Sequence, residues 1–106
     1  MEIGVMAIGK RRSVLARQLA YFYHRNGYVR RQNALRLARE GPQYKKGDEV
    51  RLVAASRAEL ATIRRLLRWA GFTPGRPFRK GKQLRQPIYG RQNVARFLSL
   101  LGADDH

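Results

Sequence analysis

The chain contains no cysteine and, among its 106 residues, only two histidines, His24 and His106. The first absence excludes disulfides, thiolate metal sites and cysteine nucleophiles together, and the second leaves too little imidazole for a structural zinc site. Carboxylates are nearly as scarce. Glu2, Glu40, Asp48, Glu49, Glu59, Asp104 and Asp105 are scattered, so spacing shows no paired-carboxylate site. There is no phosphate-cradling loop of the P-loop kind, because the stretch from Gly75 to Gly81 carries prolines and no suitable helix start follows it. Long apolar runs are missing as well. The stretch from Ile3 to Ile8 is far too short to span a membrane, and it precedes Lys10-Arg11-Arg12, whereas a signal peptide puts its charges first. The expectation is a cytoplasmic protein, nucleoid-associated in one version, with no membrane partner, no cofactor and no metal.

What the chain does have is positive charge. Twenty-three Lys and Arg against seven Asp and Glu give a formal charge of +16. A surface this dense in one sign repels itself and is normally matched by a polyanion, since each phosphate contacted releases condensed counterions. Eighteen of the cations are Arg and five are Lys. Arg offers a planar fork that grips a phosphate or a guanine edge bidentately and stacks on bases, which favours a nucleic-acid surface over a merely soluble one. The bland alternative is a basic protein with no specific ligand. With 43% hydrophobic residues and aromatics spread from Tyr21 to Phe97, the chain is too apolar for a basic tail and reads as one domain over residues 1–106, with 103–106 as a short tail.

Ser13 can cap a first helix with Leu15, Leu19 and Phe22 at helical spacing, and Gly27 as the residue that tolerates a left-handed stop. Ala16 and Ala20 give one strip of it small side chains that would let another helix come close. Alternation over Ala34 to Arg39 and over Val50 to Ala54 suggests a hairpin whose loop carries Lys45 and Lys46; the first run is also rich in helix formers, so residues 32–40 can equally be a helix. Asp48 and Glu49 fall between these strands. Ser56 and Glu59 form a capping box for a helix with Leu60, Ile63, Leu67 and Ala70 on one face. Its other face carries Arg57, Arg64, Arg65 and Arg68, and Trp69, next to the apolar stripe, reads as a core-edge anchor ahead of a base-stacking platform. A second hairpin turns near Gly81, and Pro87 assigns its last strand to an edge or a bulge. A final helix runs from about Arg91 to a stop at Gly102, burying Val94, Phe97, Leu98 and Leu101.

The expected fold is α+β: an antiparallel four-stranded sheet with helices on one face, in the order αββαββα. Arg36, Arg39, Arg51, Arg79, Lys80, Lys82 and Arg85 fall on or beside the strands, so the sheet's opposite face would be arginine-studded. Gln32, Gln43, Gln83 and Gln86 are interspersed, and their amides can read adenine edges.

Leu19-Ala20-Tyr21-Phe22-Tyr23-His24-Arg25-Asn26-Gly27 resembles a degenerate LAGLIDADG motif, with Leu19, Ala20 and Gly27 at its first, second and last letters. The order of elements over residues 13 to 102 is similar to one repeat of a LAGLIDADG homing endonuclease. The resemblance implies a saddle-shaped sheet on duplex DNA and, with one repeat per chain, a homodimer paired through the motif helices. In that family the penultimate motif position supplies an acidic ligand for catalytic magnesium. Here it is Asn26, with His24 at the other acidic place, and a neutral amide cannot supply the charge a hard cation on a phosphate needs. Arg25 and Asn26 would then lie where the lost metal site approaches the DNA backbone.

The functional expectation is duplex DNA bound through the Arg-rich sheet face without cleavage. Two alternatives stand beside it. A structured-RNA binder would use the same cations with Tyr21, Tyr23, Tyr28, Tyr44 and Tyr89 for stacking. A small metal-independent ribonuclease would use His24 with Tyr23 or Tyr28 for general acid and base steps, against the plainer reading of His24 as a polar residue at a helix end.

Overall fold

The structure, a computed structural model, describes residues 14–31, 35, 38–39 and 47–102. Helix α1 (residues 14–24) leads into strand β1 (Tyr28–Arg30), and strand β2 (Glu49–Ala54) feeds helix α2 (Arg57–Trp69). The hairpin of β3 (Phe78–Lys80) and β4 (Gln83–Tyr89) then precedes helix α3 (Arg91–Leu101). The four strands form one antiparallel sheet in the order β1-β2-β4-β3. The order of elements is thus the αββαββα read from the sequence, though the first strand is a different segment. Tyr28–Arg30 pairs with β2, whereas Leu35, Ala38 and Arg39 are helical, and Arg36 lies outside the described residues. Propensity favours this locally, since Ala, Leu and Arg are good helix formers.

Period-two alternation sorts the sheet into two faces. Val29, Val50, Leu52, Ala54, Leu84 and Ile88 point toward the helices, where they meet Leu19 and Phe22 of α1, Ile63, Leu66 and Leu67 of α2, and Val94, Phe97 and Leu98 of α3. Phe97 is fully buried and packs edge-on against Tyr23 and Phe72. Helices α1, α2 and α3 therefore cover one face, and among the described residues no helix covers the other, open face, where Glu49, Val53 and Pro87 are nonetheless buried.

The turn chemistry departs from expectation at two points. The left-handed residue that ends α1 is Asn26 (φ 65°), not Gly27. Gly27 is needed for proximity instead: a Cβ there would run into the carbonyl oxygens of Tyr23 and Arg51. Pro87, expected to mark an edge, lies in an interior strand opposite Arg51. It is tolerated because β3 pairs with β4 only as far as Arg85, and beyond that the Pro87 carbonyl accepts from the Gly75 N–H at 2.9 Å. The hairpin itself turns at Gly81-Lys82 with Gly81 at φ 62°, the residue a type II′ loop wants first.

Helix α2 starts as its sequence dictates. Ser56 Oγ accepts from the Glu59 N–H at 3.1 Å, and Glu59 Oε1 accepts in return from the Ala55 N–H at 2.8 Å. Gly102, left-handed at φ 74°, closes α3. Among the described residues no helix is long and apolar enough to cross a membrane.

Candidate nucleic-acid interface

The register fixes which side chains share the open face: Tyr28 and Arg30 from β1, Glu49, Arg51 and Val53 from β2, Phe78 and Lys80 from β3, Gln83, Arg85, Pro87 and Tyr89 from β4. Four cations stand there with one carboxylate. Glu49, expected between strands, is the first residue of β2 and is only 2% exposed. Arg30 reaches its Oε1 at 2.7 Å, and Arg51 binds it side-on through Nε to Oε2 and Nη2 to Oε1. That hydrogen bond raises the pKa of Arg51 above its ordinary value despite the opposing cost of burial.

Arg51 is also held from the sides. Its guanidinium carbon lies 5.0 Å from the centre of the Tyr28 ring and 4.9 Å from that of Phe78. Two rings and a buried carboxylate leave the side chain 18% exposed with little rotamer freedom. Arg85 is steadied by Gln83, whose Oε1 accepts from Nη2 at 2.9 Å; its buried Nε has no hydrogen-bond partner among the described residues. Tyr28 and Tyr89 keep 38% and 51% of their surface, so flat apolar area interleaves with the charge.

The expected contact residues divide on this map. Arg51, Lys80 and Arg85 share the open face, and Lys82 sits at the exposed tip of the β3–β4 hairpin. Arg79 pairs with Leu84 and so belongs to the helix-ward side, exposed only because β3 is an edge. Arg39 is exposed on a helical residue, while Arg36, Lys45 and Lys46, with Gln32 and Gln43, lie outside the described residues. Gln86 is no reader of bases: it is fully buried, donating to the Gly75 and Pro87 carbonyls at 2.7 and 2.8 Å and accepting from Arg64 at 2.7 Å. That amide, with the Gly75 carbonyl, draws Arg64 inward from the outer face expected of it. Arg30 escapes a reading of the sequence because β1 is too short for periodicity to reveal.

At the end of α1, Arg25 is occupied within the fold. It forks onto Glu59 at distances of 2.5 and 3.1 Å and lies over Tyr21 and Phe22. The pair shifts both partners: Arg25, foremost, holds the Glu59 carboxyl down at about 2, and Glu59, with help from Tyr21, raises Arg25. Asn26 is exposed. His24, also exposed, meets the Tyr23 ring edge-on at 5.3 Å, and among the described residues no hydrogen bond joins it to Tyr23 or Tyr28. Ala16 and Ala20 are half-buried. A shallow groove of about 330 Å³ between α1 and α2, lined by Arg17, Gln18, Tyr21, Phe22, Thr62 and Leu66, has no acidic group for acid and base chemistry. Among the described residues no three His, Asp or Glu side chains gather.

Comparison with known proteins returned no matching family model, no matching curated protein and no matching solved structure.

Proposed function

We propose that the protein binds duplex DNA through the open face of its sheet without cutting it, two copies pairing through α1 along the Ala16 and Ala20 strip. The observation that carries this reading is the clamped Arg51. Fixed by Glu49 between Tyr28 and Phe78, with Arg30, Lys80 and Arg85 on the same face, it presents a guanidinium that is largely ordered before a ligand arrives. Guanidinium groups fixed in this way suit phosphate oxygens and guanine edges in a groove of regular geometry. The antiparallel sheet with its helices on one side offers a face on which a duplex could lie. The neutral Asn26 at the motif's acidic position is the reason to expect binding without cleavage.

Fluorescence anisotropy over a salt series, with duplex DNA and a structured RNA of matched length, tests it. Arg51→Ala combined with Arg85→Ala should weaken duplex binding about tenfold or more and flatten the logarithmic salt slope by about two units, one for each phosphate no longer held. Binding and slope untouched by the double change would end the sheet-face reading. Tighter binding of RNA would favour the second reading, a structured-RNA binder, which the exposed rings of Tyr28 and Tyr89 support as stacking surfaces for unpaired bases.

A further inference from the structure

The outer face of α2 bears a second group of cations, built unlike the first. Arg57, Ala61, Arg65 and Arg68 recur at helical spacing along about 16 Å of the helix, and all four are exposed. Among the described residues no carboxylate pairs with these three arginines; Glu59, the one acid of α2, is bound by Arg25. At the C-terminal end of this stripe stands Trp69, expected to anchor the core edge but 66% exposed. Arg65, one turn earlier, lies 5.7 Å from the centre of its ring and steadies it along the helix. Arg96 of α3 comes to the same end, stacking on Phe72 at 4.6 Å and reaching the carbonyl of Gly71, two residues past the indole.

An indole left in water at the end of an arginine row is poorly explained by folding, because it adds little to the core and leaves a large apolar plane hydrated. It is well explained by an unpaired base. In a duplex the faces of the bases are taken up by their neighbours, so a flat protein ring can be covered only by a base outside the stack, while cations along the same track hold the phosphates. We infer that the outer face of α2 is a binding site for single-stranded nucleic acid, with a base stacked on Trp69 and the flanking phosphates on Arg65, Arg68 and Arg57. The site lies on the helix layer, on the opposite side of the sheet from Arg51 and Arg85, and it stands or falls separately from the duplex reading.

Trp69 is the single tryptophan of the chain, so its fluorescence reports this site directly. Titration of the full chain with a short oligothymidylate should quench the emission in a saturable, salt-sensitive way, and a duplex of matched length should quench it far less. Arg51→Ala with Arg85→Ala should leave the quenching in place. Arg65→Ala with Arg68→Ala should weaken it about tenfold or more and lower the salt slope by about 1.4, at roughly 0.7 per single-strand phosphate. Anisotropy of the labelled oligonucleotide should show affinity reduced about tenfold for Trp69→Ala, the usual scale of one stacked base. Circular dichroism melting of each variant checks its fold, and Arg65→Gln alone serves if the double change melts early. Three results would overturn the inference: no quenching at low salt, equal quenching by the duplex, or burial of Trp69 that follows protein concentration without nucleic acid, which would make this face a contact between copies.

Discussion

On the open face of the sheet Arg30 and Arg51 share Glu49 and Arg85 leans on Gln83, whereas on α2 Arg57, Arg65 and Arg68 have no carboxylate partner among the described residues. The two surfaces are thus alike in sign and opposite in construction. An arginine carries about 2 kcal/mol of rotamer entropy, and a neighbour that fixes it in the folded state removes that cost from binding. The fixed set suits a ligand of regular shape; the loose set can follow a strand that varies. Net charge alone could not have separated the two.

The largest effect is expected where the fixed face is anchored. Gly27→Ala would push a methyl group against two backbone carbonyls, neither of which can swing away, and should cost about 3 kcal/mol in urea unfolding. A near-neutral result would mean that α1 and β2 can part easily, and the fixed face would lose its footing.

Glu49→Gln would make the sheet face resemble the helix face. Losing the buried carboxylate beneath two guanidinium groups should lower stability by about 2 kcal/mol, discounted from a fully buried pair because Arg30 and Arg51 are partly solvated. The same change removes a negative charge and so raises the net charge of the face by one. Duplex binding should therefore hold or tighten at low salt while discrimination between duplex sequences in a selection experiment declines; unchanged discrimination would show that Glu49 does not position Arg51.

Removing equal charge from the two faces sharpens the contrast further. Against the roughly tenfold weakening expected for the Arg51 and Arg85 pair, Arg57→Ala with Arg65→Ala should change duplex affinity by about threefold or less, through long-range field alone. Equal effects in anisotropy would erase the distinction.

The smallest effect on stability concerns the tie between α1 and α2. The Glu59 carboxyl titrates near 2 when folded and at the ordinary carboxylate value when unfolded, so the stability it lends is full above about 4.5 and is lost as pH falls toward 2. Glu59→Gln should remove about 1 kcal/mol at neutral pH, the scale of a partly exposed ion pair, and flatten the acid limb of the melting profile. An acid limb identical in both proteins would assign the effect to other groups.

Elements whose signals are local were legible in the sequence. The capping box of α2, the glycine turn of the second hairpin and the apolar stripe of α3 each need only neighbours along the chain. What escaped depends on distant partners. β1 is a strand because β2 lies beside it, and three residues cannot show a period. Arg64 turns inward because a buried amide and the Gly75 carbonyl, more than ten residues away, await its donors. Over residues 34–39 alternation allows a strand and propensity a helix, because Ala, Leu and Arg satisfy either period; Leu35, Ala38 and Arg39 are helical. The candidate site was legible in its cations Arg51, Lys80 and Arg85, but not in Arg30, the buried Glu49 or the rings that grip Arg51.

The missing side chain of Gly27 has a mechanical consequence. With no side chain between the last turn of α1 and the carbonyl of Arg51, helix and strand meet backbone to backbone, and close packing leaves no soft group there to absorb displacement. A push on α1 toward the sheet would therefore press directly on the backbone that carries the central guanidinium of the sheet.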